Sequence, residues 1–162
     1  MRIVFVTGMS GAGKRTALKV FEDAGYYCVD NLPVALVMKF VELAASSSGQ
    51  KKDGKAIDNI AMGVDVRSGE TFTGLEAVLD NMTAMNYNYE ILFLEAEDET
   101  LVKRYKETRR NHPLAGDNRI MEGIAREREE ISFLKKRADY IIDTTTLLTR
   151  ELKQEIEKIF VD

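Results

Sequence analysis

The stretch Gly8-Met9-Ser10-Gly11-Ala12-Gly13-Lys14 has the residue types and the spacing to hold a chain of phosphates. Glycines let a backbone curl until successive N–H groups point into one hollow. A lysine at the end of the hollow adds a point charge for the outer phosphates. A helix starting at that lysine aims the positive end of its dipole at the same place. The motif carries this meaning only between a strand and a helix. Ile3 to Thr7, a short apolar run rich in β-branched residues, precedes it. Ala17, Leu18, Phe21 and Ala24 follow at helical spacing, and Gly25 is the stop signal. Lys14 and the amides of residues 11–16 are therefore expected to hold the phosphates. Thr16 is expected on the α-phosphate. The binding segment is Gly8, Met9, Ser10, Gly11, Ala12, Gly13, Lys14, Arg15 and Thr16.

One position departs from the usual chemistry. The residue after the lysine ordinarily brings a hydroxyl to magnesium. Here it is Arg15, which has no lone pair to offer a metal. Backbone binding survives such a change, whereas magnesium placement and hydrolysis are put in question.

Two carboxylates end apolar runs. Asp65 follows Ile60 to Val64, and Glu95 follows Ile91 to Leu94. Either has the placing to support magnesium, and Asp65 is preferred if the third strand lies beside the first. Asp30 ends another run, just before Asn31-Leu32-Pro33. It is read as an Asx turn or helix cap, or as a contact to an acceptor or an attacking water.

Residues 103–119 reverse the local charge: Lys103, Arg104, Lys106, Arg109, Arg110 and Arg119 face only Glu107 and Asp117. Arg109 and Arg110 are expected to close over the phosphates as part of a lid. A solvated basic helix face and a local RNA contact are the alternatives. His112, beside Pro113, reads more readily as a turn-stabilising side chain than as an acid or base.

The elements that must position these groups alternate. Strands are expected at Ile3–Thr7, Tyr26–Val29, Ile57–Val66, Glu90–Ala96 and Asp139–Thr144. Helices are expected at Lys14–Ala24, from Pro33 to about Ala45, at Thr71–Met85, at Glu99–Arg109, in one long run to about Arg137, and from Leu148 to Phe160. Loops are expected over 46–55 and 110–119. The long helix should turn Ile120, Ile124, Ile131 and Leu134 to the core, and the last one Leu148, Leu152, Ile156 and Ile159. Such alternation demands parallel strands with helical crossovers on both faces. The expected fold is α/β, a kinase-like three-layer sandwich with a five-stranded parallel sheet, as one domain over residues 1–162.

Composition narrows the class. A net charge of -4 argues against broad electrostatic binding of nucleic acid. No apolar run reaches the roughly 18 residues of a membrane span. The single cysteine, Cys28, cannot form an internal disulfide, and together these features point to the cytoplasm. One histidine and one cysteine leave no zinc constellation.

Several blocks beyond the loop are more specific. They are Glu22-Asp23-x-Gly25-x-Tyr27-Cys28-Val29-Asp30-Asn31-Leu32-Pro33, Asp65-Val66-Arg67, Leu92-Phe93-Leu94-Glu95-Ala96, Arg104-Tyr105-x-x-Thr108-Arg109-Arg110-x-His112-Pro113-Leu114, and Arg137-Ala138-Asp139-x-Ile141-Ile142-Asp143-Thr144. In this order the chain resembles the RapZ/YvcJ family of nucleotide-binding proteins, also called RNase adapter proteins. The resemblance implies a P-loop domain that binds and slowly hydrolyses ATP and GTP. It implies ATP at Gly8 to Arg15, and GTP at Asp65, Val66, Arg67 and Ser68. It also implies RNA contact chiefly through the family's C-terminal domain, which these residues do not include. No Asn-Lys-x-Asp motif marks a guanine preference.

The readings carried forward are three. The first is a regulatory ATPase or GTPase domain with Lys14, Asp65, Arg109 and Arg110 in the chemistry and magnesium, if present, on Asp65. The second is a small-molecule or nucleotide kinase, with Asp30 and Arg67 facing the acceptor. The third is a non-catalytic nucleotide sensor or RNA-contacting module, which Arg15 favours.

Overall fold

The computed structural model describes residues 1–47, 58–64, 69–108 and 117–161. Strand β1 runs over Arg2–Gly8 and helix α1 over Lys14–Asp23. They are followed by β2 (Tyr27–Val29), α2 (Val34–Ser47), β3 (Asn59–Gly63) and α3 (Gly69–Ala84). Next come β4 (Glu90–Glu95), α4 (Asp98–Thr108), α5 (Asp117–Glu130), α6 (Ser132–Arg137), β5 (Tyr140–Asp143) and α7 (Thr149–Phe160).

The strands form one five-stranded sheet in the order β2-β3-β1-β4-β5, parallel throughout. β1, β3 and β4 carry the central buried run, Ile3 to Val6, Ile60 to Met62 and Ile91 to Leu94. Strands buried on both faces need such continuous apolar sequence rather than alternation. The parallel arrangement collects the C-terminal ends of the strands at one edge, where the loop after β1 lies. That edge is where open α/β sheets bind ligands.

Helix α7 shows how remote packing reaches the loop. Its buried face is Leu152, Ile156 and Phe160. Phe160 packs edge-on against Phe21 of α1, with ring centroids 5.0 Å apart, and against Tyr140 of β5 at 5.3 Å. Tyr26 donates its hydroxyl to the Phe160 carbonyl at 2.9 Å. Such aromatic pairs add about 0.5–1.5 kcal/mol each beyond their burial. They fix α7 along α1, which sets Leu152 directly beneath Gly13.

Several elements differ from expectation. The long helix breaks at Ile131, whose backbone (φ -98, ψ 8) leaves the helical region. Ile131 and Leu134 are both buried across the break. Ile124 is only half-buried. Leu148 lies outside the buried face of α7 and is 55% exposed, because the helix begins after it and its own backbone is extended. Finally, helix extends into both expected loops: α2 runs to Ser47, and α5 begins at Asp117.

Candidate functional site: the loop between β1 and α1

Gly8 closes β1 opposite Leu94 of β4. A Cβ on Gly8 would stand 2.2 Å from the Leu94 carbonyl oxygen, and the residue has φ +138. Only glycine meets both conditions. The chain then turns: Met9 N–H donates to the Leu94 carbonyl at 3.0 Å, and Ala12 N–H to the Met9 carbonyl at 3.0 Å. Gly11 and Gly13 both have positive φ, and Gly13 is the residue before α1.

The loop's peptide groups are sorted by direction. The Thr144 hydroxyl donates to the Ala12 carbonyl at 2.7 Å. Arg104 of α4 donates to the Gly11 carbonyl at 3.0 Å, to the Thr144 hydroxyl at 3.1 Å and to the Thr144 carbonyl at 2.7 Å. The loop carbonyls are thus held from behind. Among the described residues, no acceptor takes the N–H groups of Gly11, Gly13, Lys14, Arg15 or Thr16. Helix N-termini leave such donors by construction, and a cluster of them is an anion site.

Lys14 lies 3.6 Å from Asp30 Oδ1. Asp30 also accepts the N–H of Asn31 at 2.8 Å, the local turn bond expected of it. Its carboxylate reaches the end of β3 because residue 63 is glycine: a Cβ there would stand 2.4 Å from Asp30 Oδ1. Arg15 is exposed and Thr16 half-buried.

A second carboxylate touches the loop itself. Glu127 of α5 accepts from Ser10 N–H at 2.8 Å and from Ser10 Oγ at 2.6 Å. The neighbouring Arg128 anchors this part of α5. It donates to Asp98 Oδ1 at 2.7 Å, Glu95 Oε1 at 2.7 Å and the Ala96 carbonyl at 2.6 Å.

Glu95 is therefore engaged. It also pairs with Lys135 at 3.1 Å and accepts the Ala96 N–H at 2.9 Å. Burial alone would push its carboxyl up. The bonds from Arg128, Ala96 and Lys135 outweigh that and hold it below the usual carboxylate range. A carboxylate tied this way ties α5, α6 and β4 together and is not free to hold a metal.

β3 does lie next to β1, pairing Val6 with Gly63, which is the condition that favours Asp65 over Glu95. Asp65, Val66, Arg67 and Ser68 themselves lie outside the described residues, as do Arg109, Arg110 and His112. Sequence reasoning placed Arg104 in a basic lid segment, whereas the fold turns it onto the loop backbone. It also missed Thr144, Glu127 and Gly63. Thr144 had one available signal, its place directly after the fifth apolar run. Glu127 had none, being one acid among many on a charged helix.

The position after the lysine is an exposed arginine, and the Ser10 hydroxyl is bonded to Glu127. Directly after the lysine the described loop therefore offers magnesium no hydroxyl, and the next one, on Thr16, comes one position later. What it offers is a cradle of amides and one ammonium group for an anion.

The fold and this site define a P-loop protein of the kinase-like α/β class. The shikimate kinase of Bacteroides thetaiotaomicron has a similar fold, with a TM-score of 0.61 at 18% identity, covering 98% of this chain and 97% of that one. The shikimate kinase of Acinetobacter baumannii, solved with shikimate, matches with a TM-score of 0.56 at 17% identity over 99% of this chain and 93% of that one. At family level the match is stronger. The RapZ-like N-terminal domain profile covers residues 1–162, and the chain belongs to that family. Relatives named nucleotide-binding protein include one from Agathobacter rectalis, 55% identical over 161 residues, and one from Lachnoclostridium phytofermentans, 56% identical over 161 residues. Each alignment covers 99% of this chain, but 53% and 54% of those relatives, so the chain spans about half their length. Among the described residues, no helix is long and apolar enough to cross a membrane.

Proposed function

We propose that this chain is a cytoplasmic nucleotide-binding domain. In this reading it takes ATP or GTP at Gly8 to Thr16, hydrolyses it slowly, and serves a regulatory role of the RNase adapter kind. The observation that carries the reading is the set of N–H groups at Gly11, Gly13, Lys14, Arg15 and Thr16 that no acceptor takes among the described residues, with the Gly11 and Ala12 carbonyls engaged by Arg104 and Thr144. The name borne by the relatives supports it. Lys14 leaves Asp30 to meet the outer phosphates, and the helix amides take the inner ones. Asp65 orients water or a metal, Asp65 to Ser68 is the family's GTP segment, and Arg109 and Arg110 close from the lid. RNA contact falls to the other half of the longer relatives.

With Arg15 at the position directly after Lys14, positioning and charge stabilisation carry the larger share of hydrolysis, and any magnesium would be held by Asp65 and the phosphates. Calorimetric titration of ATP and of GTP tests the reading, with Lys14→Ala as control. Loss of one charged contact to phosphate weakens binding by about 2–3 kcal/mol, roughly 30- to 150-fold. Equal binding by the control would overturn the assignment of the loop.

One observation favours a second reading, a small-molecule kinase. Asp30 stands at the end of β2 beside Lys14, in room that Gly63 leaves by having no side chain, where a carboxylate can accept the proton of an attacking hydroxyl. Labelled γ-phosphate appearing on an acceptor from a metabolite panel would establish it over slow hydrolysis. Release as inorganic phosphate alone would reject it.

A further inference from the structure

The contact between Glu127 and Ser10 has no part in the binding scheme above, yet it occupies the loop. Its two bonds, 2.8 Å from Ser10 N–H and 2.6 Å from Ser10 Oγ, are the short, charge-assisted kind. A carboxylate that accepts from a loop amide and a loop hydroxyl does what a phosphate oxygen does there. Glu127 is not a side chain that wandered in. It is half-buried, and Arg128 beside it locks α5 to Asp98, Glu95 and the Ala96 carbonyl.

Position within the loop decides which phosphate it opposes. The helix amides at Lys14, Arg15 and Thr16 lie at one end and serve the phosphates nearest the nucleoside. Ser10 lies at the other end of the loop, beyond Gly11, so in the binding scheme above it meets the outer end of the phosphate chain. Two anions cannot share the Ser10 donors, because like charges at contact distance repel and both need the same protons.

We propose that Glu127 is a specificity-determining residue that sets how many phosphates the loop accepts: it opposes the terminal phosphate of a triphosphate and leaves a diphosphate nearly untouched. This rests on the nucleotide-binding reading and adds to it. A triphosphate enters only by displacing the carboxylate from Ser10, so the ratio of ATP to ADP affinity is held down by this one side chain. A diphosphate, ending short of Ser10, leaves the contact in place.

The test is the ATP and ADP affinities of the wild type, Glu127→Gln, Glu127→Ala and Lys14→Ala, by calorimetry on the whole chain. Glutamine keeps the size and removes the charge. The expected result is a rise of about tenfold in ATP affinity for Glu127→Gln, with ADP changed less than about threefold. Glu127→Ala shifts the ratio in the same direction, which keeps the test valid if either variant folds poorly. An unchanged ATP to ADP ratio in both variants overturns the proposal. So does a fall in hydrolysis at unchanged affinities, which would make Glu127 a group that orients the attacking water. Wild-type binding that is lost in Lys14→Ala, with the ratio unmoved by Glu127→Gln, defeats this inference alone. Absence of binding by every protein defeats the nucleotide reading beneath it.

Discussion

The Thr144 hydroxyl donates to the Ala12 carbonyl at 2.7 Å from a side chain only 3% exposed, so the end of β5 determines which way a peptide of the phosphate loop faces. Removing that hydroxyl leaves a buried carbonyl without its donor, which costs about 1–3 kcal/mol. Thr144→Val, close in shape, is expected to lower stability by that amount in urea titration. It is also expected to weaken ATP binding severalfold, although Thr144 is assigned no contact with the nucleotide.

Arg104 serves the same loop from α4. Its guanidinium bridges the Gly11 carbonyl and Thr144 with bonds of 2.7–3.1 Å. A lysine cannot reproduce that fork. Arg104→Lys is therefore expected to lose about as much ATP affinity as Arg104→Ala, roughly tenfold. Full retention by lysine would show that charge alone matters there.

A side chain at residue 63 is expected to displace Asp30. An added Cβ meets Asp30 Oδ1 at 2.4 Å and Leu18 Cδ1 at 2.8 Å. Forcing atoms into a packed site costs about 1–3 kcal/mol. Gly63→Ala should show that loss in denaturant melts and should also drive Asp30 away from Lys14. A kinase-type product, if there is one, would then disappear before nucleotide binding does.

The Glu95 cluster carries an acid limb of stability. Its carboxyl titrates below the ordinary range in the folded protein, so the contribution is complete above the unfolded value, about pH 4.3. It is lost as pH falls through the lower folded value. Glu95→Gln should flatten the stability profile below about pH 4.5, measured by thermal melts against pH, and should lower stability at neutral pH. Equal acid sensitivity of both proteins would place the effect elsewhere.

Cys28 should be slow to react. Burial, with the charge of Glu22 second, pushes its thiol up to about 11. Only a small fraction is thiolate at pH 8, and the thiolate is the reactive form. Alkylation at pH 8 is expected to be far slower than in denaturant, and to accelerate as pH approaches the folded value.

Much of the fold was legible because its signals are local. Short continuous apolar runs rich in β-branched residues and bounded by turn signals, such as Ile3 to Thr7, read as strands buried on both faces, and the glycines before Lys14 gain their meaning from the strand before and the helix after. The break at Ile131 was not legible, since helical periodicity continues across it. The partners of the loop were hidden for a related reason. Arg104, Glu127 and Thr144 meet Gly11, Ser10 and Ala12 across separations of 93, 117 and 132 residues. No spacing rule connects residues that far apart. Gly63 lies unmarked inside an apolar run, and its use emerges only when Asp30 is seen against it.

The central claim is that the amides at the start of α1 form the anion cradle. Titrating ATP into isotopically labelled protein and following each backbone N–H resonance tests it most directly. The account predicts the largest shifts at Gly11, Gly13, Lys14, Arg15 and Thr16, together with Ser10 as Glu127 is displaced. Shifts concentrated instead at the opposite end of the sheet, around the polar hollow lined by Asn86, Asn88, Arg137 and Asp139, would contradict it.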